Sequence, residues 1–172
     1  MTAAFLQSEL ADELKKILSD FRLKNPQGEP SGINIFEQLL PMSEPLGQGE
    51  IASELLENGL VDVQTAPAPY PYIIVRLDEG EIEDADSAQK VNLSLLIGIY
   101  DPDYEKQGHK DILNIIAKIY ERFAKCPVLN GKYTIQYPIL WVLQEEESYP
   151  FYFGGMTLGF ETAMIRREDP YS

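Results

Sequence analysis

The stretch from His109 to Lys125 constrains the fold more than any other part of the chain. Ile112, Ile115, Ile116, Ile119 and Phe123 recur at helical spacing and make one continuous apolar stripe. Asp111 lies in the first turn, while Lys118, Arg122 and Lys125 crowd the last two, so the charges complement the helix dipole. Pro127 disfavours helical geometry at Cys126 and stops the segment there. At about 1.5 Å per residue such a helix is roughly 25 Å long, enough to cross a small sheet. Strand-like segments flank it on both sides in sequence, so the stripe is expected to lie on the sheet they form.

Upstream, Val91, Leu93, Leu95, Ile97 and Ile99 alternate with Asn92, Ser94, Leu96, Gly98 and Tyr100. That period of two marks a strand with one buried face. An earlier strand, Tyr72 to Leu77, is entered through Thr65 to Pro71, whose alternate prolines bar a regular helix. Downstream, Leu129-Asn130-Gly131-Lys132 is a tight-turn signal. Tyr133 to Leu143 reads as a third strand, with Tyr133, Ile135, Tyr137, Ile139 and Trp141 on one parity. Pro138 in its middle requires an edge position or a bulge. The last strand runs from about Tyr152 to Arg166, with Met156, Leu158 and Phe160 on the buried parity and Gly155, Thr157 and Gly159 opposite.

A second helical stripe, Leu6, Leu10, Leu14, Ile17, Leu18 and Phe21, predicts a first helix over residues 3–21. Residues 25–69 read as an insert with short helical turns, one near Ile33 to Leu40 and another near Ile51 to Leu60. A structureless connection of that length is uncommon in a compact domain. The 172 residues are therefore expected to form one domain of α+β class. The architecture expected is a single sheet of about four strands with two main helices on one face. Its order would be helix, insert, strand, strand, helix, strand, strand.

The net charge is −14, and its distribution matters more than its size. Residues 25–69 hold seven acids and no bases, and residues 70–90 hold six acids against two bases. The two helical regions are neutral, so the excess falls on loops and strand ends. Such a surface repels phosphate backbones and argues against gripping nucleic acid. No apolar run approaches the roughly 20 residues of a membrane span. The first ten residues lack the basic and apolar regions of a secretory signal, and the single cysteine, Cys126, fits a reducing compartment. The expected location is cytoplasmic.

No catalytic constellation emerges from the residues. His109 is the only histidine, and no serine has the setting of a nucleophile elbow. Cys126 follows a basic helix C-terminus, the dipole end opposite to the one that lowers a thiol pKa. One cysteine and one histidine do not make a zinc site, and Gly47-Gln48-Gly49 lacks the rest of a phosphate-binding loop. The run Asp78, Glu79, Glu81, Glu83, Asp84 and Asp86 fails the spacing of a calcium-binding EF-hand and reads as a solvated hairpin loop. The expectation is a protein that is not an enzyme and needs no metal or cofactor.

From Tyr70 onward the order of motifs resembles a family of small proteins of long-tailed bacteriophages and prophages of Gram-positive bacteria. The residues that carry it are PYPYIIVRLDEGE (Pro69 to Glu81), VNLSLLIGIYDPD (Val91 to Asp103) and GHKDILNIIAKIYERF (Gly108 to Phe123). YTIQYPILWVLQEEESYPFYFGGMTLGFETAMIRRED (Tyr133 to Asp169) completes it, so about 100 residues are covered. The family is the tail-terminator or tail-completion class of head-to-tail joining proteins. The resemblance implies a structural virion protein that forms a ring, commonly a hexamer, at the head-proximal end of the tail tube. It would end tube polymerisation and offer a surface to the head-tail connector, assembling in the cytoplasm and residing in the virion neck. DNA would pass through it without specific binding.

Under that reading Asp78, Glu79, Glu81, Glu83, Asp84 and Asp86, with Glu145, Glu146 and Glu147, line the lumen or meet the connector. Tyr149, Phe151, Tyr152 and Phe153, with the small-residue row Gly155, Thr157 and Gly159, supply a subunit contact, since a ring needs contacts that close by rotation. The alternatives are another neck, head-tail adaptor or minor tail protein, or a monomeric intracellular binding module.

Overall fold

The computed structural model describes residues 2–41 and 69–164. Helix α1 spans Ala3–Ile17, opened by Thr2, whose hydroxyl accepts the Phe5 N–H at 3.4 Å. A short hairpin follows, β1 (Leu23–Lys24) with β2 (Pro30–Ser31), and then β3 (Asn34–Glu37), β4 (Tyr72–Glu81) and β5 (Lys90–Tyr100). Helix α2 covers His109–Lys125, and β6 (Val128–Leu129), β7 (Tyr133–Leu143) and β8 (Phe151–Thr162) complete the described chain.

The main sheet has six strands in the order β3-β4-β5-β8-β7-β6, and β1-β2 form a separate two-stranded sheet. β3 runs parallel to β4; every other neighbouring pair in the main sheet is antiparallel. This corrects the expected single sheet of about four strands, although the class is α+β and both helices lie on one face. The two extra strands escape a periodicity reading for a physical reason. Val128–Leu129 is too short to show alternation, and Asn34–Glu37 takes its pairing from β4, far away in sequence. The helical turn expected around Ile33 to Leu40 is therefore an extended edge strand. Helix α1 also stops earlier than expected, with Leu18 as its C-cap. The turn expected near Ile51 to Leu60 lies outside the described residues.

The core lies between the helices and one face of the sheet. Val91, Leu93, Leu95, Ile97 and Ile99 of β5 and Met156, Leu158 and Phe160 of β8 are all buried, as the alternation requires. They meet the α2 stripe from Ile112 to Phe123 and Leu6, Leu10 and Leu14 of α1. The Phe123 and Phe160 rings pack edge-on at 5.4 Å. Cys126 is extended, as Pro127 dictates. Asn130 and Gly131 both have positive φ, 50° and 68°, which gives the tight β6–β7 turn that an Asn-Gly pair favours.

Polar ties fix the helices to the sheet. Gln7, nearly buried, donates to the Val75 carbonyl at 2.7 Å and to Gln38 Oε1 at 2.9 Å. Arg122 of α2 is ion-paired with Glu13 of α1, both side chains largely buried, and also donates to the Cys126 and Val128 carbonyls. These contacts settle how the two helices sit against each other and against the strand that follows α2.

Candidate functional site

The acidic residues gather at the two ends of the sheet. β4 runs on to Glu81 instead of ending at Leu77, because its backbone keeps pairing with β5 through a bulge after Leu77. Asp78, Glu79 and Glu81 are therefore strand residues and not part of the expected hairpin loop; with Glu83, Asp84 and Asp86 in the connection 82–89 they mark one end of the sheet. Because β7 runs antiparallel to β8, the connection carrying Glu145, Glu146 and Glu147 lies at the opposite end. At about 3.3 Å per residue, strands of this length separate the two groups by roughly 30 Å. The structure thus does not bring the two sets together.

Several of these acids are already engaged. Asp78 accepts from Ser94 and pairs with Arg76, and Glu79 accepts from Asn92 at 3.0 Å. Asp84 turns back on its own loop; hydrogen bonds from the Ser87 side chain and the Asp86 N–H hold its carboxyl below the usual range. Glu147 pairs with Lys106, which lowers the carboxyl pKa and raises that of the ammonium. Glu81, Glu83, Asp86, Glu145 and Glu146 are exposed and make no ion pair among the described residues.

The aromatic cluster divides between the two faces of the sheet. Tyr152, opposite buried Ile99, turns toward α2 and lies against Gly108, where a Cβ would come within 2.4 Å of the ring. Phe151 and Phe153 turn to the other face and meet Tyr70, with ring centroids 4.8 and 6.2 Å away. Tyr70 also packs on Tyr72 at 5.0 Å, and burial, reinforced by Tyr70, pushes the Tyr72 phenol up to about 12. Tyr149 donates to the Pro102 carbonyl at 2.7 Å, beneath the Lys106 ammonium. All four aromatic residues of the expected subunit contact are thus partly buried within their own chain. Gly155, Thr157 and Gly159 do share the helix-free face, where a Cβ on Gly155 would meet only ordinary contacts from 3.5 Å.

A cavity of about 420 Å³ lies between the β7–β8 connection and the start of α2, bordered by Lys106, His109, Glu147 and Tyr149. A second, about 370 Å³, opens between α2 and β7. Leu113, Ile116 and Tyr120 form one wall, and Tyr137, Ile139 and Trp141 form the other. This groove is the feature the sequence reading missed. Tyr137 and Trp141 share a parity with buried Tyr133 and Ile135, yet they are 62% and 53% exposed. Helix α2 covers only the first part of β7, and a bulge between Gln136 and Leu140 displaces the rest. The missed signal is that Leu140 and Val142, on the opposite parity, are apolar too and remain 56% and 64% exposed.

Among the described residues, no group of three histidine, cysteine or acidic side chains is placed to hold a metal ion, and no helix is long and apolar enough to cross a membrane. No family model matches the chain, and no curated protein matches it.

Proposed function

We propose that this chain is a structural subunit of the tail-terminator type. It closes a ring at the head-proximal end of a phage tail tube, ends tube polymerisation and meets the head-tail connector. The observation that carries this reading is the placement of the acid. Both acidic sets stand at strand ends, one at the β4–β5 end and the other on the β7–β8 connection beside the start of α2, where a ring subunit presents them to its lumen or to the components above and below it. A lumen wall of that sign lets DNA pass without holding it. With the loops at opposite ends of the strands, one set faces the tube side and the other the connector side. Thr157 and Gly159, partly exposed on the face that carries no helix among the described residues, offer a surface that a neighbouring subunit can approach, whereas Gly155 in the same row is already buried.

The test is co-sedimentation with tail tubes, followed by electron microscopy of the pellet. The expected outcome is a ring of this protein at one tube end and tubes that no longer elongate. Tubes that keep growing, with the protein left in the supernatant, would overturn the reading.

A further inference from the structure

The cavity of about 420 Å³ beside the start of α2 is a site to which the ring reading gives no occupant. Its floor is apolar. Ile112 and Leu143 close down on β8 at Gly154, where a Cβ would lie 2.7 and 3.4 Å from their methyl carbons, and the Tyr152 ring borders the same space. Its rim is the β7–β8 connection, which is braced at both ends. The Gln144 N–H donates to the Phe153 carbonyl at 3.0 Å, the Phe151 N–H to the Ser148 carbonyl at 2.9 Å, and the Gln144 side chain to Ser148 Oγ at 3.1 Å. The Tyr149 hydroxyl, bonded to the Pro102 carbonyl at 2.7 Å, fastens the connection to the segment that precedes α2.

Glu145, Glu146 and Glu147 all border this cavity, as do Lys106 and His109. Lys106 shows what such a rim holds: its ammonium is paired with Glu147 and lies 5.4 Å from the centroid of the Tyr149 ring. Glu145 and Glu146 are exposed and make no ion pair among the described residues. The positive end of the α2 dipole is offset by Asp111 in its own first turn, with Asp101 near it. Two free carboxylates therefore border a cavity whose ammonium, that of Lys106, is already matched.

We propose that this cavity receives an arginine side chain from a partner protein. The charge of the rim selects a cation, and the apolar floor selects one that carries an alkyl stem over a bare ion. A guanidinium suits the rim better than an ammonium, because its planar fork bonds carboxylates in pairs and it is more weakly hydrated, so it loses less on leaving water. At about 420 Å³ the space falls in the roughly 300–1,000 Å³ range of sites that take whole ligands, ample for one side chain and the start of its backbone. The braces on the β7–β8 connection hold the rim in place before the partner arrives, which lowers the ordering cost of binding. The inference names the chemistry of a partner at the Glu145 to Glu147 end of the sheet and does not need the ring.

The test titrates the whole protein with a blocked peptide, Ala-Ala-Arg-Ala-Ala, while NMR follows the methyl groups of Ile112 and Leu143. Saturable shifts are expected at both residues. The same peptide with citrulline, which keeps the shape and removes the charge, should bind about tenfold more weakly or worse, and one with lysine severalfold more weakly. Glu145→Gln with Glu146→Gln should weaken binding about tenfold or more and leave the thermal transition in place, since neither side chain is paired. Glu83→Gln with Asp86→Asn removes the same two charges from the net −14, but at the other end of the sheet. Its effect should stay within about twofold, because exposed charges beyond roughly 10 Å are largely screened at ordinary salt. Shifts at neither residue, equal affinity for the citrulline or lysine peptide, or equal losses in the two charge variants would overturn the proposal. Spermidine binding as tightly as the arginine peptide would also overturn it, reducing the site to the general pull of an acidic protein on cations. Peptide binding by a protein that leaves tail tubes uncapped keeps this site and removes the terminator reading; capped tubes without peptide binding do the reverse.

Discussion

Replacing Arg122 with methionine keeps most of the aliphatic stem and removes the guanidinium that ties α2 to α1. Three acceptors lose their donor: the Glu13 carboxylate and the carbonyls of Cys126 and Val128. The side chains of Arg122 and Glu13 are 19% and 14% exposed, so the pair is largely but not wholly removed from water. Breaking a fully buried pair by deleting one partner costs about 3–5 kcal/mol, chiefly because the remaining charge is stranded. Discounting for the residual exposure leaves about 2–3 kcal/mol for Arg122→Met. Glu13→Gln leaves the guanidinium two carbonyls and an amide oxygen to bond, so its cost should be near 1 kcal/mol. For a chain of this length each kcal/mol lowers the Tm by about 2–4 °C. The expected losses are thus about 5–10 °C for Arg122→Met and about 2–4 °C for Glu13→Gln, read by calorimetry and by urea unfolding. The double variant should cost at least about 1 kcal/mol less than the sum. Equal single costs, or strict additivity, would refute the assignment of Arg122 as the clamp between the helices and the start of β6.

Two further outcomes follow from the sheet. A Cβ on Gly154 would lie 2.7 Å from Ile112 Cγ2 and 3.1 Å from the Val142 carbonyl, whereas one on Gly155 meets nothing nearer than 3.5 Å. Gly154→Ala should therefore cost about 1–3 kcal/mol and Gly155→Ala less than about 0.5 in urea unfolding; the reverse order would show that the faces of β8 are misassigned. Tyr72 provides a pH dependence: its phenol is raised from 10.0 to about 12, so the fold favours the protonated form. Stability should hold below about pH 10, the phenol's ordinary value, and fall by roughly 1–2 kcal/mol as pH rises toward 12. Tyr72→Phe should remove that part of the loss, and identical alkaline limbs in the two proteins would refute it.

Much of the fold was legible because the signals were local. The α2 stripe, the alternation of β5, the Asn130-Gly131 turn and the stop at Pro127 each need only a few neighbouring residues to be read. Pro138 announced a bulge or an edge, and it sits in a bulge, past the two residues of β7 that pair with β6. Other features had no local signal to read. β3 is a strand only because β4 lies beside it in parallel, and without that partner Ile33 to Leu40 passes for a helical turn. The acidic residues were readable as acidic and exposed, but Asp78, Glu79 and Glu81 belong to β4 because β5 pairs with it there, and the separation of the two sets to opposite ends follows from strand direction, which composition does not record.

By itself the sequence determined where the chain turns, which residues are apolar, which segments have period two or period 3.6, and where the negative charge accumulates. The tertiary structure alone decided which apolar residues are covered. Tyr133 and Trp141 belong to one strand and one parity, yet the first is fully buried and the second is half exposed. The reason is geometric: a helix covers a limited width of sheet, and where α2 leaves the edge, the same apolar pattern changes from core into surface.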